Sequence, residues 1–390
     1  MTKEIKLVSD TIDRTDIQRL SDWLLSVPTP RLTKGQVTLD FERKWSTNVG
    51  VKNTTFVNSG SSAILLALAA LKEKGMKNLK VVAPAVSWLT DVSSIMQLGL
   101  TPILCDCNLQ DLSIDLKSLE SIFAEEKPAA LILVSVLGLV PDMERVISLC
   151  QKYDVILIED VCESMGSKFR RNNLGNFGIA TVFSLYFGHH LSTIEGGLIC
   201  TNDDQLHELI ISMRSHGWDR DWPQHVQEKY RKEFGISEFD ALYTFYYPGF
   251  NVRSTDLQAF IGLSQLEKLE KFSMRRSQNF LTYKDLLKYN RLPLETRSQD
   301  FISNFAYPYV SDKRSLIVGE LKRSGVEVRP LIAGSMARKP FWIKAYGRQA
   351  FKNADALNDS GFYLPNHQDL SEEDIKFICD IINTVEEKSD

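Results

Sequence analysis

No lysine occurs between Lys168 and Lys229 of this 390-residue chain, so no reactive amine can come from that stretch. Other features are missing as well. No apolar run approaches the ~20 residues of a membrane span, and Met1 to Lys6 carry no signal-peptide apolar region, so a cytoplasmic protein is expected. No lysine- or arginine-rich block interrupts the sequence, and a formal charge of −4 with a pI near 6.0 is too mild to imply nucleic acid. The six cysteines, at 105, 107, 150, 162, 200 and 379, include only one close pair, which leaves a tetrahedral zinc or iron–sulfur set without ligands. They read as reduced core thiols in a chain large enough to need no covalent staples. Cys105 and Cys107 fall in a short apolar strand whose alternation puts both thiols on one face. No internal repeat or low-complexity segment is visible.

What is present is a regular alternation. With 43% hydrophobic residues the chain can bury a sizeable core, and its length suggests roughly two to three domain-sized units. Residues 1–50 read as an arm with a polar helix from Asp13 to Leu25, a proline-rich connector, and a second helix starting near Leu39. Short apolar runs then alternate with helical segments: Lys80–Ala83, Pro102–Cys105, Ala129–Val136, Val155–Ile158, Ala180–Ser184 and Leu198–Cys200. This alternation marks an α/β unit, residues 51–250, with a mainly parallel sheet covered on both faces. Helical spacing returns from Thr255 to about Asn290, and the tail, within residues 251–390, reads as a smaller α+β domain with a strand at Phe305–Val310 and helices near Arg314–Ser324 and Glu372–Val385.

In such sheets ligands sit at the carboxyl ends of strands. Gly60 and Ser61 open a strong apolar helix, where free N–H groups and the helix dipole suit a phosphate; a plain cap and turn reads equally from the same residues. Asp160 ends a buried strand, either as an acid awaiting a cationic partner or as a helix N-cap. Trp88 follows a strand and suits a flat ring or a plain core position. Phe183 to Gly197 runs from an aromatic strand into His189 and His190 and closes on Gly196-Gly197, a place where a proton carrier can be aimed.

Ser59-Gly60-Ser61, Trp88, Asp160, Ser184, Glu195-Gly196-Gly197 and Gly249-Phe250-Asn251 through Gln258, in that order, resemble the DegT/DnrJ/EryC/StrS sugar aminotransferase family from about Lys34 to beyond Leu269. The resemblance implies the pyridoxal-phosphate fold type I, a mainly parallel mixed sheet flanked by helices. It implies that Gly60, Ser61 and Ser184 hold the cofactor phosphate, that Asp160 pairs with the pyridinium nitrogen and that Trp88 covers the ring. It also implies that Asn251 reaches the phosphate of a second subunit in a homodimer with a shared active site.

One departure decides the reaction class. The family places its cofactor-binding lysine five residues after the phosphate-binding serine, and counting five from Ser184 gives His189. Imidazole cannot hold the cofactor covalently, so His189 acts as a proton carrier. The wording from Gly188 to Gly197 resembles the metal-free 3-dehydratase branch of the family, which acts on GDP-linked 4-keto-6-deoxymannose in deoxysugar and O-antigen biosynthesis. That branch implies pyridoxal and pyridoxamine phosphate bound without a covalent bond, glutamate as amino donor, and loss of the sugar C3 hydroxyl. Glu163 is assigned to the cofactor phenolic oxygen, His190 to packing, and His216, Arg220 and Arg329 to substrate contacts or surface salt bridges. Two alternatives stand beside this reading: an aminotransferase with an atypical base, and a catalytically silent partner subunit.

Overall fold

Apolar runs too short for helices become strands here, and the longer runs of helical period between them become helices. In the computed structural model, which describes residues 4–388, the strands are β1 (Asn53–Val57), β2 (Lys80–Pro84), β3 (Thr101–Cys105), β4 (Ala130–Val134), β5 (Ile156–Asp160), a small hairpin of β6 (Lys168–Phe169) and β7 (Asn172–Asn173), β8 (Ala180–Ser184) and β9 (Gly197–Thr201). The main sheet has the order β1-β9-β8-β5-β4-β2-β3. From β8 to β3 all pairs are parallel, while β9 runs antiparallel to both β1 and β8. A loop without a helix joins β8 to β9, and such a connection permits only antiparallel pairing. The mainly parallel mixed sheet expected from the sequence is therefore present.

The helices of this part are α1 (Arg14–Leu24), α2 (Gln36–Val49), α3 (Gly60–Gly75), α4 (Leu89–Gln97), α5 (Leu116–Glu126), α6 (Met143–Tyr153), α7 (Asp204–Met213) and α8 (Gln224–Phe234). Helix α3 is apolar on nearly every side because it is enclosed between the sheet, α4 and α7. Helix α2 starts at Gln36, ahead of the expected Leu39. Its N-terminus is capped from a distance by Asp256, which accepts from Gly35 N at 2.7 Å, Thr38 N at 2.9 Å and Thr38 Oγ1 at 2.6 Å. On the inward face of α2, Phe41 and Trp45 enter the core against Phe56 and Phe183.

The helical stretch expected from Thr255 to about Asn290 is two helices, α9 (Asp256–Leu266) and α10 (Leu269–Leu286). The break falls at Lys268, whose N–H bonds the Gln265 carbonyl at 2.9 Å, tightening the last turn. Its ammonium reaches Asp13 at 2.8 Å and Asp16, tying α1 to the body. Beyond α10 come β10 (Tyr307–Val310), α11 (Arg314–Arg323), β11 (Arg329–Pro330), α12 (Pro340–Tyr346), α13 (Lys352–Ser360), β12 (Gly361–Leu364) and α14 (Glu372–Glu387). Strands β10, β12 and β11 form a small antiparallel sheet, and α14 packs on α10 and α11. No helix among the described residues is long and apolar enough to cross a membrane. Cys105 and Cys107 are buried, and burial pushes both thiols up, as core thiols.

Candidate active site

The loop between β8 and β9 is closed by its own backbone: Thr193 N donates to Leu185 O and Leu185 N to Gly196 O, both at 2.9 Å. Both glycines at its end are required by space. A Cβ on Gly196 would lie 2.2 Å from Thr193 Oγ1, and one on Gly197 would lie 2.2 Å from Ser59 O and 2.6 Å from Gly60 N. Glycine at 197 thus lets the start of α3 descend onto the mouth of the hairpin.

Within that loop the two histidines separate. The His190 side chain is buried and donates from Nε2 to the Ser303 carbonyl at 2.9 Å, so it packs away as expected. His189 faces the strand ends, with Phe305 at 5.5 Å and Tyr186 at 6.5 Å between ring centroids and the Cys162 carbonyl beside it. Burial, with the Arg276 guanidinium behind it, lowers its pKa to about 4, and its Nδ1 is buried without a partner. The ring, partly buried, is a neutral base.

Strand alternation sends Glu159 and Asp160 to opposite faces of β5. Glu159 is satisfied structurally, accepting the N–H groups of Gly175, Phe177 and Gly178 at 3.0, 2.7 and 2.7 Å. Asp160, also buried, accepts Cys162 N at 2.8 Å in a turn, and no helix follows, which removes the N-cap reading. No cation of the described residues pairs with it. Glu163 accepts Leu137 N at 2.9 Å, and burial, aided by the neighbouring Asp160, raises its pKa to about 8. Leu137 holds a left-handed conformation (φ 52°), fixed because its carbonyl also accepts Phe305 N at 2.9 Å and Asn304 Nδ2 at 2.7 Å.

A phosphate-bearing pyridine fits this donor set. Gly60 touches Ser184, where an added Cβ would stand 2.7 Å from the serine Cβ. Ser59 caps α3 by accepting Ser62 N at 3.1 Å, so the cap reading holds too, and the first-turn N–H groups of Gly60 and Ser61 remain without intrahelical acceptors. The hydroxyl of Ser184 completes a cradle for an anion, while the unpaired Asp160 suits a protonated ring nitrogen. Trp88 is 57% exposed at the start of α4, which excludes the core reading and leaves its face free to cover a ring.

The remaining candidates lie apart. Asn251 is exposed and bridges to the buried Ser215, and the residue after it, Val252, accepts Asn58 N at 3.0 Å beside the start of the cradle. His216 packs tilted against Trp218, ring centroids 5.0 Å apart, and Arg220 lies over the same indole at 3.8 Å. Arg220 lines a cleft of about 260 Å³ with Arg31, Lys34, Trp218 and Arg253. Arg329 pairs with Glu327 on the surface, but its strand partner in register is Tyr363, whose ring meets Phe305. Sequence reading missed Phe305 and Arg276, which come from distant segments and carry no local signal. It also missed Asp91, an acid in an otherwise apolar helix start, which was a visible signal.

Residues 11–383 match the DegT/DnrJ/EryC1/StrS aminotransferase family. The GDP-4-keto-6-deoxy-D-mannose 3-dehydratase of Yersinia pseudotuberculosis is 31% identical over 395 residues, covering 96% of this chain and 97% of that protein. The structure of E. coli GDP-4-keto-6-deoxy-D-mannose-3-dehydratase with bound hydrated PLP is similar at a TM-score of 0.87 and 28% identity, covering 98% of this chain and 99% of that one. A structure of GDP-4-keto-6-deoxymannose-3-dehydratase with a trapped PLP–glutamate geminal diamine gives 0.86 and 28% over 97% and 99% of the two chains.

Proposed function

The chain belongs to the DegT/DnrJ/EryC1/StrS aminotransferase family, and within it we propose a pyridoxal-phosphate-dependent 3-dehydratase that removes the C3 hydroxyl of GDP-4-keto-6-deoxymannose, with glutamate as amino donor. The observation that carries this reading is His189. It stands where the family has its lysine, in a stretch without any lysine, and its imidazole is partly buried and neutral. Relatives that share most of their length with this chain are 3-dehydratases of that substrate.

When bound, pyridoxal or pyridoxamine phosphate supplies an amino group for the sugar ketone and a ring that stores the electron pair freed as a C–H bond breaks. The protein does the rest. Gly60, Ser61 and Ser184 hold the phosphate, Asp160 holds the ring nitrogen protonated, and Trp88 covers the ring. Glu163, protonated at neutral pH, has an O–H to donate to the phenolic oxygen. His189 takes a proton as a neutral base. Its conjugate acid, beside Arg276, is a strong one, and returns that proton to the departing C3 hydroxyl, which leaves as water. The sugar gains two electrons at C3 that glutamate loses, and ammonia is released.

The active unit is a homodimer in the cytoplasm, in which Asn251 of each subunit reaches the phosphate site of the other. Its exposure supports this arrangement. His216, Arg220 and Arg329 contact the nucleotide sugar or the glutamate carboxylate, for which guanidinium groups are matched.

The test is incubation of the protein with pyridoxal phosphate, glutamate and GDP-4-keto-6-deoxymannose. Free ammonia, with a sugar product lighter by one oxygen, is the expected result. Accumulation of a 4-amino sugar would identify an aminotransferase instead, and no turnover of any donor would identify a silent partner subunit.

A further inference from the structure

Asp91 sits in the first turn of α4, three residues past Trp88, and is wholly buried. Neither of its carboxyl oxygens has a hydrogen-bond donor. An aspartate at such a position ordinarily serves its own helix from the surface. Here α4 has no side-chain cap, the Trp88 backbone approaches without completing a hydrogen bond, and the carboxyl turns inward to the ends of the strands. There it lies against the carboxyl of Asp160, with Glu163 and the Cys162 thiol as the other ionisable neighbours. No cation is among the groups acting most strongly on it.

Two carboxyl groups in contact cannot both be ionised, so one proton lies between them. Burial first, then the neighbouring Asp160, holds the Asp91 carboxyl well above the ordinary carboxylate range, which assigns the proton to Asp91. Asp160 then has the Asp91 O–H as a donor besides the Cys162 N–H at 2.8 Å and the Cys162 thiol, and its remaining lone pair is left for the ring.

We propose that Asp91 is a positioning residue: as a neutral acid it donates to Asp160, so that the pair presents one negative charge, fixed in direction, to a protonated pyridine nitrogen. The proposal rests on the reading of Asp160 given above. Without the donor, Asp160 would be held by Cys162 alone; with a second charge, the pair would outweigh a single cation.

The experiment compares Asp91→Leu and Asp91→Asn with the wild type. Thermal melting first shows that each cofactor-free variant is folded. Pyridoxamine phosphate is then titrated in, followed by its absorbance, alongside an analogue in which carbon replaces the ring nitrogen. Loss of a hydrogen bond to a charged group predicts that Asp91→Leu weakens pyridoxamine phosphate by about ten-fold or more. Asparagine keeps a donor and should restore affinity to within about three-fold. Neither change should alter binding of the carbon analogue. Equal weakening of both ligands by Asp91→Leu, unchanged affinity in that variant, or failure of asparagine to rescue would overturn the proposal. A wild-type protein that binds no pyridoxamine phosphate would overturn the underlying cofactor reading, and the proposal with it.

Discussion

At His189 burial and the Arg276 guanidinium act in the same direction, and the imidazole is brought from 6.5 to about 4. The sign of the consequence is fixed: the neutral, proton-accepting form is present above that value, so activity should persist as pH falls through the range where an ordinary histidine would charge. The acid limb of kcat/KM set by this group should lie well below pH 6, and a limb centred near 6.5 would show a solvated imidazole instead. Replacing His189 with Asn keeps size and polarity but removes the proton carrier. Turnover should fall by about 10²–10⁴-fold, the usual worth of a positioned acid–base group, while the absorbance of bound cofactor is retained. A variant that keeps its rate would deny the histidine its role.

Elements meet around a few buried polar groups, and Arg214 at the end of α7 joins three segments. It donates to Glu42 of α2 at 2.7 Å and to the Phe56 carbonyl of β1 at 2.9 Å, and lies 3.3 Å from Asp221. Arg214 is 1% exposed, so its removal leaves Glu42 charged and dry. Arg214→Ala should cost about 3–5 kcal/mol, the range for breaking a buried pair, measured by denaturant unfolding. Since β1 leads directly into Ser59 and Gly60, the same variant should also loosen the phosphate cradle, whereas Arg43→Ala on the exposed side of α2 should change stability by less than about 0.5 kcal/mol.

At the scale of the whole molecule the acids at the strand ends set how stability varies with pH before cofactor binds. Glu163 titrates near 4.5 when unfolded and at about 8 when folded. The folded chain therefore keeps a proton that the unfolded chain releases, and this contribution is lost as pH rises from the lower value through the higher. Asp91, also raised, adds to the same slope. His189, lowered, acts oppositely, but only below 6.5. Between pH 6.5 and 8 the melting temperature of the cofactor-free protein should fall, and Glu163→Gln should flatten that fall; an unchanged slope in the variant would place the titration elsewhere. The shared site has its own test. Mixing inactive His189→Asn with inactive Asn251→Ala protein should regenerate one intact site in each hybrid dimer, and recover roughly a quarter of wild-type activity under symmetric exchange. No recovery would mean that each subunit uses its own asparagine.

Much of this protein is written along the chain, because what decides it is local. Strand and helix periods gave β8 at Ala180–Ser184 without error, and the count from Ser184 reached His189 as the candidate proton carrier without any coordinates. Whatever needs two distant segments was not legible. The cap of α2 is an aspartate from α9, the break at Lys268 faces α1, and Phe305 and Arg276 reach the histidines from the other half of the chain. The sequence by itself determined that a histidine stands where the family has its lysine, since a missing lysine is a fact about composition at one position. Only the tertiary structure decided that this group is neutral, and that Asp91 lies beside Asp160, because desolvation and charge contact depend on what folding brings together.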